Sequence, residues 1–347
     1  MFKKKSKNKY KMPLRRKVIR FICLFYIMGF ISFLFLFYGP INSFKEFWIT
    51  SAMTTKDHRD LATWLYSDKY IQKVLKNNKI IEINEVSNPN EIVFRKYTTT
   101  IYRNEYEKEI LKKDNDDDLY KVINISGKGY QGFLVAIYDP SRIHLVTTSK
   151  LGVTGESILT VSDRENAIVA MNAGGFWDPN WNSNGALPHG TVISNGVVVS
   201  DFKDANVGGG FIGFTKDNKF ILGNMSKEEA INIGYRDAIE FGPYLIVNGK
   251  RSFIKGNGGW GVAPRSAIGQ RKDGIVLFLV INGRLANSIG ADMVDLCDIM
   301  ENYGAYNASN LDGGSSSELV INGKIVNTPV AGGENGLRNM PTFWVVK

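Results

Sequence analysis

The 347-residue chain carries 43 Lys and Arg against 34 Asp and Glu, a formal charge of +9. Ten of the basic residues fall within the first twenty positions, which hold no acidic residue, so 33 basic residues face 34 acidic ones in the rest. The folded part therefore has no net basic excess to bind nucleic acid, and two cysteines, Cys23 and Cys297, build no disulfide framework.

Residues 1–17 read as a basic cytoplasmic tail and residues 18–38 as a transmembrane signal anchor. From Phe21 to Tyr38 the sequence FICLFYIMGFISFLFLFY is almost unbroken apolar and stops at Gly39-Pro40. About 20 such residues cross a bilayer, and roughly 17 suffice. The positive-inside rule keeps the tail in the cytoplasm and puts everything after Pro40 outside, in a single-pass topology. The rival is a cleaved signal peptide, whose apolar core is shorter and ends in a small-x-small site. Tyr38-Gly39-Pro40 is a poor site of that kind. A large outside domain without disulfides must rely on its core, a habit better suited to a bacterium than to an animal secretory pathway.

Residues 39–118 read as a membrane-proximal helical or stalk region. Thr54-Thr55-Lys56-Asp57 resembles a helix start, with Leu61, Trp64, Leu65, Ile71, Val74 and Leu75 at roughly helical spacing and Asn77-Asn78 closing it. IIEINEV and EIVFRKYTTTIY are predicted strands. The charged run 112–118 then reads as a solvated linker and marks the main boundary.

From 119 to 347, short β-type segments alternate with Gly, Asn and Asp turns. Asn195-Gly196, Asn248-Gly249 and Asn322-Gly323 each sit between apolar runs, a strong hairpin signal. Helices are predicted at 156–166 and 291–303; the second has an apolar face of Met293, Leu296, Cys297, Met300 and Tyr303, with Gly304 as its stop. Many hairpins with few helices predict an α+β domain, strand-rich, with a mixed or antiparallel sheet.

Several familiar sites are absent. His58, His144 and His189 are isolated and match no zinc spacing, so neither a metal nor a cofactor is expected. Residues 256–261 match G-x-G-x-x-G, but Pro264 and a strand follow where a dinucleotide site needs a helix. Gly313-Gly314-Ser315-Ser316-Ser317 lacks the last glycine of a nucleophile elbow.

What remains is a set of polar residues beside buried-looking strands: Asn172 with Gly174-Gly175-Phe176-Trp177, Arg265, Asn282-Gly283-Arg284, and Asp312-Gly313-Gly314-Ser315-Ser316. Paired glycines let a ligand approach the backbone and can offer N–H groups to an anion. An arginine fork suits phosphate or carboxylate, and a carboxylate set among glycines and serines can act as base or nucleophile. Each piece also has a plain reading: Asn282-Gly283 as a hairpin turn, Gly174-Gly175 as a bulge, Arg265 as an ion-pair residue. Phe176, Trp177 and Trp181 fit either a core or a sugar-stacking platform.

Taken in order, MNAGGFWD (171–178), PHGTVISNG (188–196), APRSAIGQRKDG (263–274), LVINGR (279–284) and NLDGGSSS (310–317) resemble the phosphodiester glycosidase family. The resemblance covers roughly 165–346, and the stretch 119–165 looks like the lead-in of its membrane-anchored, exopolysaccharide-associated bacterial members. It implies hydrolysis of a sugar-1-phosphodiester at its glycosidic bond, releasing free sugar and a phosphate monoester.

On that basis Arg265 is expected to hold the phosphate, assisted by backbone N–H groups of Gly174, Gly175, Gly313 and Gly314. Asp312 is expected as nucleophile or base, with Asn172 beside it. Asn172, Asn282, Ser315 and Ser316 are expected to orient sugar hydroxyls, with His189, Gly283 and Arg284 in the substrate-binding set. No second carboxylate stands out; Glu240, before Gly242-Pro243, is the candidate. Members anchored near their other end and stapled by disulfides differ from this chain, so their substrate is not carried over. Phosphorylated cell-surface glycopolymers or exopolysaccharide fit an outward domain. The alternative is a non-catalytic protein that binds or assembles phosphorylated surface polysaccharide. A third reading, a metal-dependent phosphoesterase, needs a ligand cluster that the sequence does not offer.

Overall fold

The computed structural model describes residues 13–55, 58–95, 101–179, 183–203, 209–331 and 336–347. Helix α1 (Leu14–Tyr38) carries the apolar run, and almost all of its side chains are exposed. At 1.5 Å per residue its 25 residues extend about 38 Å, long and apolar enough to serve as a membrane anchor or signal sequence.

Three short helices follow: α2 (Asn42–Met53), α3 (Asp60–Thr63) and α4 (Asp68–Asn77). They bury Ile49, Ala52, Ala62, Ile71 and Val74 in a small core of their own. The Ser67 hydroxyl caps α4 by accepting from the Tyr70 N–H.

The rest is α+β, and every strand pairing among the described residues is antiparallel. A seven-stranded sheet has Arg265–Arg271 at its centre, between Ala305–Asn310 and Val276–Ile281. One five-stranded sheet has Val169–Asn172 at its centre, between Leu319–Ile321 and Thr342–Val346. The other is centred on Tyr235–Phe241. All three turn one face into a common core that includes Val135, Met171, Phe214, Ile239, Phe278 and Trp344. Helix Met293–Asn302 covers the far face of the seven-stranded sheet with Met293, Leu296, Cys297 and Met300.

The three Asn-Gly pairs are hairpin turns with positive φ at both residues, 52° and 77° at Asn195-Gly196 for example, the conformation a two-residue turn needs to match strand twist. Asn282-Gly283 is not: there the positive φ falls on Arg284. The central strand Tyr235–Phe241 escaped the sequence reading because Asp237 and Glu240 interrupt its apolar pattern; both are buried. Among the described residues of 79–118 only Lys79–Ile81 is a strand, paired with Phe253–Lys255, while Glu105–Leu111 is a helix capped by Asn104. Of EIVFRKYTTTIY, residues 96–100 lie outside the described residues and the remainder is not strand. The helix is held by the Asn104 cap, by the Arg103–Glu107 pair and by Ile110, which is buried in the core beneath the sheet.

Candidate active site

Two sheets meet at the ends of three strands. Asn172 closes Val169–Asn172 of one sheet; Arg265 opens Arg265–Arg271 of the other, and Asp312 follows two residues after Ala305–Asn310. Asn172 is buried and bridges the seam. Its Nδ2 donates to the Asp312 carbonyl at 2.7 Å, and its Oδ1 accepts from Ser266 Oγ at 2.7 Å and from the Glu318 N–H at 3.3 Å. The amide thus grips both ends of the turn 312–318, and both its polar atoms are engaged by the protein. It is buried off the lining of the cavity described below, where it positions the turn.

The turn lines a cavity of about 1120 Å³. Asp312 sits on its wall, where burial pushes the carboxyl up to about 6 against the Ser316 hydroxyl, Arg338 and the Gly313 N–H, which favour the ionised form. The Gly313 N–H donates to Asp312 Oδ1 at 3.0 Å, and the Gly314 N–H donates to the Pro264 carbonyl at 2.8 Å. Those N–H groups are therefore committed inside the turn and are not an anion cradle. Gly314 is required for another reason: with φ +62°, a Cβ there would lie 3.3 Å from Arg284 Nη2.

Three guanidinium groups surround this turn. Arg265 is buried; its Nε donates to the Ala291 carbonyl at 3.2 Å and its Nη2 to the carbonyls of Trp260 and Gly261. Only its Nη1 faces Gly313, 3.6 Å from where a Cβ would be. Burial, with Arg284 nearby, lowers its pKa to about 10, which leaves it charged near neutrality. Arg284 reaches Gly314 from a left-handed backbone with φ 58°, a conformation costing about 1–2 kcal/mol for a residue with a Cβ. Arg338 donates from Nη1 to Ser315 Oγ at 2.9 Å and from Nη2 to Asp178 Oδ2, with its guanidinium 4.7 Å from the Phe176 ring centre. Sequence reasoning missed Arg338. Its partner Asp178 lies in MNAGGFWD, and a carboxylate ending that motif is the one signal that a cation would be met.

The second carboxylate on the cavity wall is Glu156, not Glu240. Glu156 is tied to Ser149 at 2.6 Å and to Arg164 at 3.2 Å. Behind the turn lies Glu318, fully buried: Oε1 accepts from the Arg338 N–H at 2.8 Å, while Oε2 has no partner among the described residues. Burial pushes its carboxyl up to about 8, so it is mostly protonated at neutral pH.

Other expected site residues lie elsewhere. Glu240 and His189 line a separate cavity of about 300 Å³ beside Gly242-Pro243, where Glu240 pairs with Lys203 at 2.9 Å and accepts from the Thr191 N–H at 2.7 Å. Gly174 and Gly175 pack under Ile239 and Phe241, and the Gly174 N–H is taken by Thr342 Oγ1 at 3.2 Å. Asn282 Oδ1 accepts from the Thr328 N–H at 2.8 Å, and Gly283 packs on Pro264. These residues support loops around the site and do not line the large cavity. Ser315 and Ser316 do line it. Phe176 belongs to the core, Trp177 is exposed against Phe202, and Trp181 lies outside the described residues. Among the described residues no cluster of three His, Cys, Asp or Glu is placed to hold a metal.

The strand-rich α+β domain thus presents Asp312 on a glycine turn in the wall of the large cavity, with Arg265, Arg284 and Arg338 about that turn. The chain belongs to the phosphodiester glycosidase family, whose model matches residues 165–347, more than half of its length. It is 31% identical over 197 residues to the SPbeta prophage-derived uncharacterized protein YomE of Bacillus subtilis (strain 168). That match covers 54% of this chain but only 29% of the relative. Among solved structures it is similar to the zebrafish N-acetylglucosamine-1-phosphodiester α-N-acetylglucosaminidase catalytic domain, auto-inhibited by pro-peptide. The TM-score is 0.54 with 18% identity over 68% of this chain and 85% of that one. A hypothetical protein from Synechocystis aligns with TM-score 0.45 and 20% identity, covering 65% of this chain and 61% of that one.

Proposed function

We propose that the cleft hydrolyses a glycosyl phosphodiester at its glycosidic bond. The observation that carries this is the convergence of Arg265, Arg284 and Arg338 on the turn that presents Asp312. The family and the name of the zebrafish structural relative support the same reaction class.

In the reaction the bond between the anomeric carbon and the phosphate oxygen breaks, and the phosphate leaves with the electron pair as a monoester. The oxygen of water becomes the new anomeric hydroxyl, and one water proton passes to solvent or to the departing phosphate. A phosphate monoester is a weak base with a second pKa of about 6, so it departs without a strong general acid. Arg338 and Arg284 stabilise the charge that grows on the phosphate, and the buried Arg265 adds its field from beneath the turn. Asp312, ionised above pH of about 6, serves at the anomeric carbon as nucleophile or as base toward water.

Helix α1 acts in this reading as an uncleaved anchor, with the basic tail in the cytoplasm and the cleft outside, facing phosphorylated surface glycans. The test is release of reducing sugar from a panel of sugar-1-phosphodiesters, with and without chelator, beside Asp312→Ala and Arg338→Ala. Release that survives chelation and is lost in both variants is expected. Binding without release would instead make the chain a binding or assembly protein for phosphorylated polysaccharide, and release abolished by chelator would make it a metal-dependent esterase.

A further inference from the structure

The large cavity is not built by the family domain alone. Thr54, Thr55 and His58, from the segment that follows α2, stand on the same wall system as Arg265 and Asp312. The contact is fixed by polar bonds. Ser51 Oγ accepts from the Val262 N–H at 3.1 Å, and Thr50 Oγ1 accepts from Asn257 Nδ2 at 2.7 Å. A Cβ on Gly261, whose φ is +60°, would stand 2.5 Å from the Ser51 Cα, so only glycine allows the approach. The glycine-rich loop 256–261 is thereby explained: one side seats α2, and the carbonyls of Trp260 and Gly261 hold Arg265.

The other end of α2 is joined to α1 just as firmly. Phe37 packs edge-on against Phe44 at 5.1 Å and Trp48 at 4.8 Å, and Lys45 Nζ donates to the Gly39 carbonyl at 2.9 Å. Tyr66 donates to the Phe37 carbonyl at 2.9 Å, and Trp64, two residues earlier, is 78% exposed. Aromatic side chains with a polar tip concentrate at bilayer interfaces, and here Tyr38, Trp48, Tyr66 and Tyr70 gather where the apolar helix ends. The twelve residues of α2 rise about 18 Å. The end of the apolar helix and the wall of the cleft are therefore joined through α2 by ring packing and polar bonds, where a flexible stalk would leave them independent.

Resting on the hydrolase reading above, we propose that the substrate is a glycosyl phosphodiester whose second phosphate ester is a lipid seated in the same bilayer, delivered to the cleft along the wall made by Thr54, Thr55 and His58. The shared chemistry is the glycosyl phosphate headgroup; lipid-borne and water-borne sources are separated by experiment. The full chain in phospholipid vesicles is given one glycosyl phosphate headgroup as a methyl ester and as a long-chain prenyl ester. A second protein carries about twelve Gly and Ser residues inserted between Pro40 and Ile41, which uncouples α2 and the cleft from α1. A third carries Trp64→Glu at an exposed aromatic two residues before Tyr66.

The prenyl ester is expected to be cleaved with kcat/KM about tenfold or more above the methyl ester. The linker should remove most of that advantage and Trp64→Glu about threefold of it, with methyl-ester turnover unchanged in both. Equal turnover of the two esters, or a linker without effect on the prenyl ester, overturns the inference and leaves the hydrolase reading standing. An equal loss on both esters in the linker protein also overturns it, because it reports a damaged cleft. If the unaltered protein cleaves neither ester, the hydrolase reading falls and takes this inference with it.

Discussion

Asn172 Nδ2 donates to the carbonyl oxygen of Asp312 at 2.7 Å, tying the end of a strand in one sheet to the first residue of the turn that leaves another. The same amide accepts from Ser266 and from the Glu318 N–H. Asn172→Ala strands these buried groups, each unsatisfied group costing about 1–3 kcal/mol. A loss of about 2–4 kcal/mol is expected in urea denaturation, together with lost turnover. A variant that lost activity at unchanged stability would show that the amide touches substrate.

In the proposed mechanism Asp312 sets the pH dependence. Its carboxyl is held up to about 6, so kcat/KM should fall tenfold per pH unit below about 6 and level off above it. Asp312→Asn, similar in shape and without the charge, should lose about a thousandfold or more in turnover. A full-rate Asp312→Asn protein would remove the carboxylate from the chemistry.

Arg338 joins Asp178, Ser315 and the Phe176 face, a geometry a lysine cannot reproduce. Arg338→Lys keeps the charge and loses the fork, and about a 10- to 100-fold fall in kcat/KM is expected. Asp178→Asn should give a milder loss of the same kind, since it frees the guanidinium without removing it. Wild-type kinetics in Arg338→Lys would reduce Arg338 to a structural ion pair.

Glu318 should mark the stability curve and not the rate profile. Its carboxyl is held at about 8 when folded and titrates near 4.3 when unfolded, so the folded state binds the proton more tightly. Stability is therefore lost as pH rises from about 4.5 to 8, and the loss is complete above that range. Glu318→Gln keeps an acceptor for the Arg338 N–H and removes the charge. Its Tm should match the parent near pH 4.5 and exceed it by several degrees at pH 8 and above. Parallel curves would mean that Oε2 is compensated.

Much of the fold could be read in advance because it rests on local rules. Alternating apolar residues, three Asn-Gly turns and the capped stripe of Met293–Asn302 each report their own structure within a few residues. Tyr235–Phe241 could not, because its buried Asp237 and Glu240 rely on partners far away in sequence, the Asn195 N–H and Lys203 among them, besides Arg236 next to Asp237.

By itself the sequence determined the apolar helix and the strand-rich α+β class, and it singled out the Asp312 turn as the candidate site. Those features depend on neighbours in the chain, and a short motif carries them whole. Only the tertiary structure decided who stands beside Asp312. Arg338 comes from 26 residues downstream, and the segment after α2 brings Thr54 to the same cavity, while Glu240 and His189 are carried to another. The reason is physical: a site at the seam of two sheets is assembled by packing between distant strands, and side chains brought together by burial leave no spacing in the sequence to announce it.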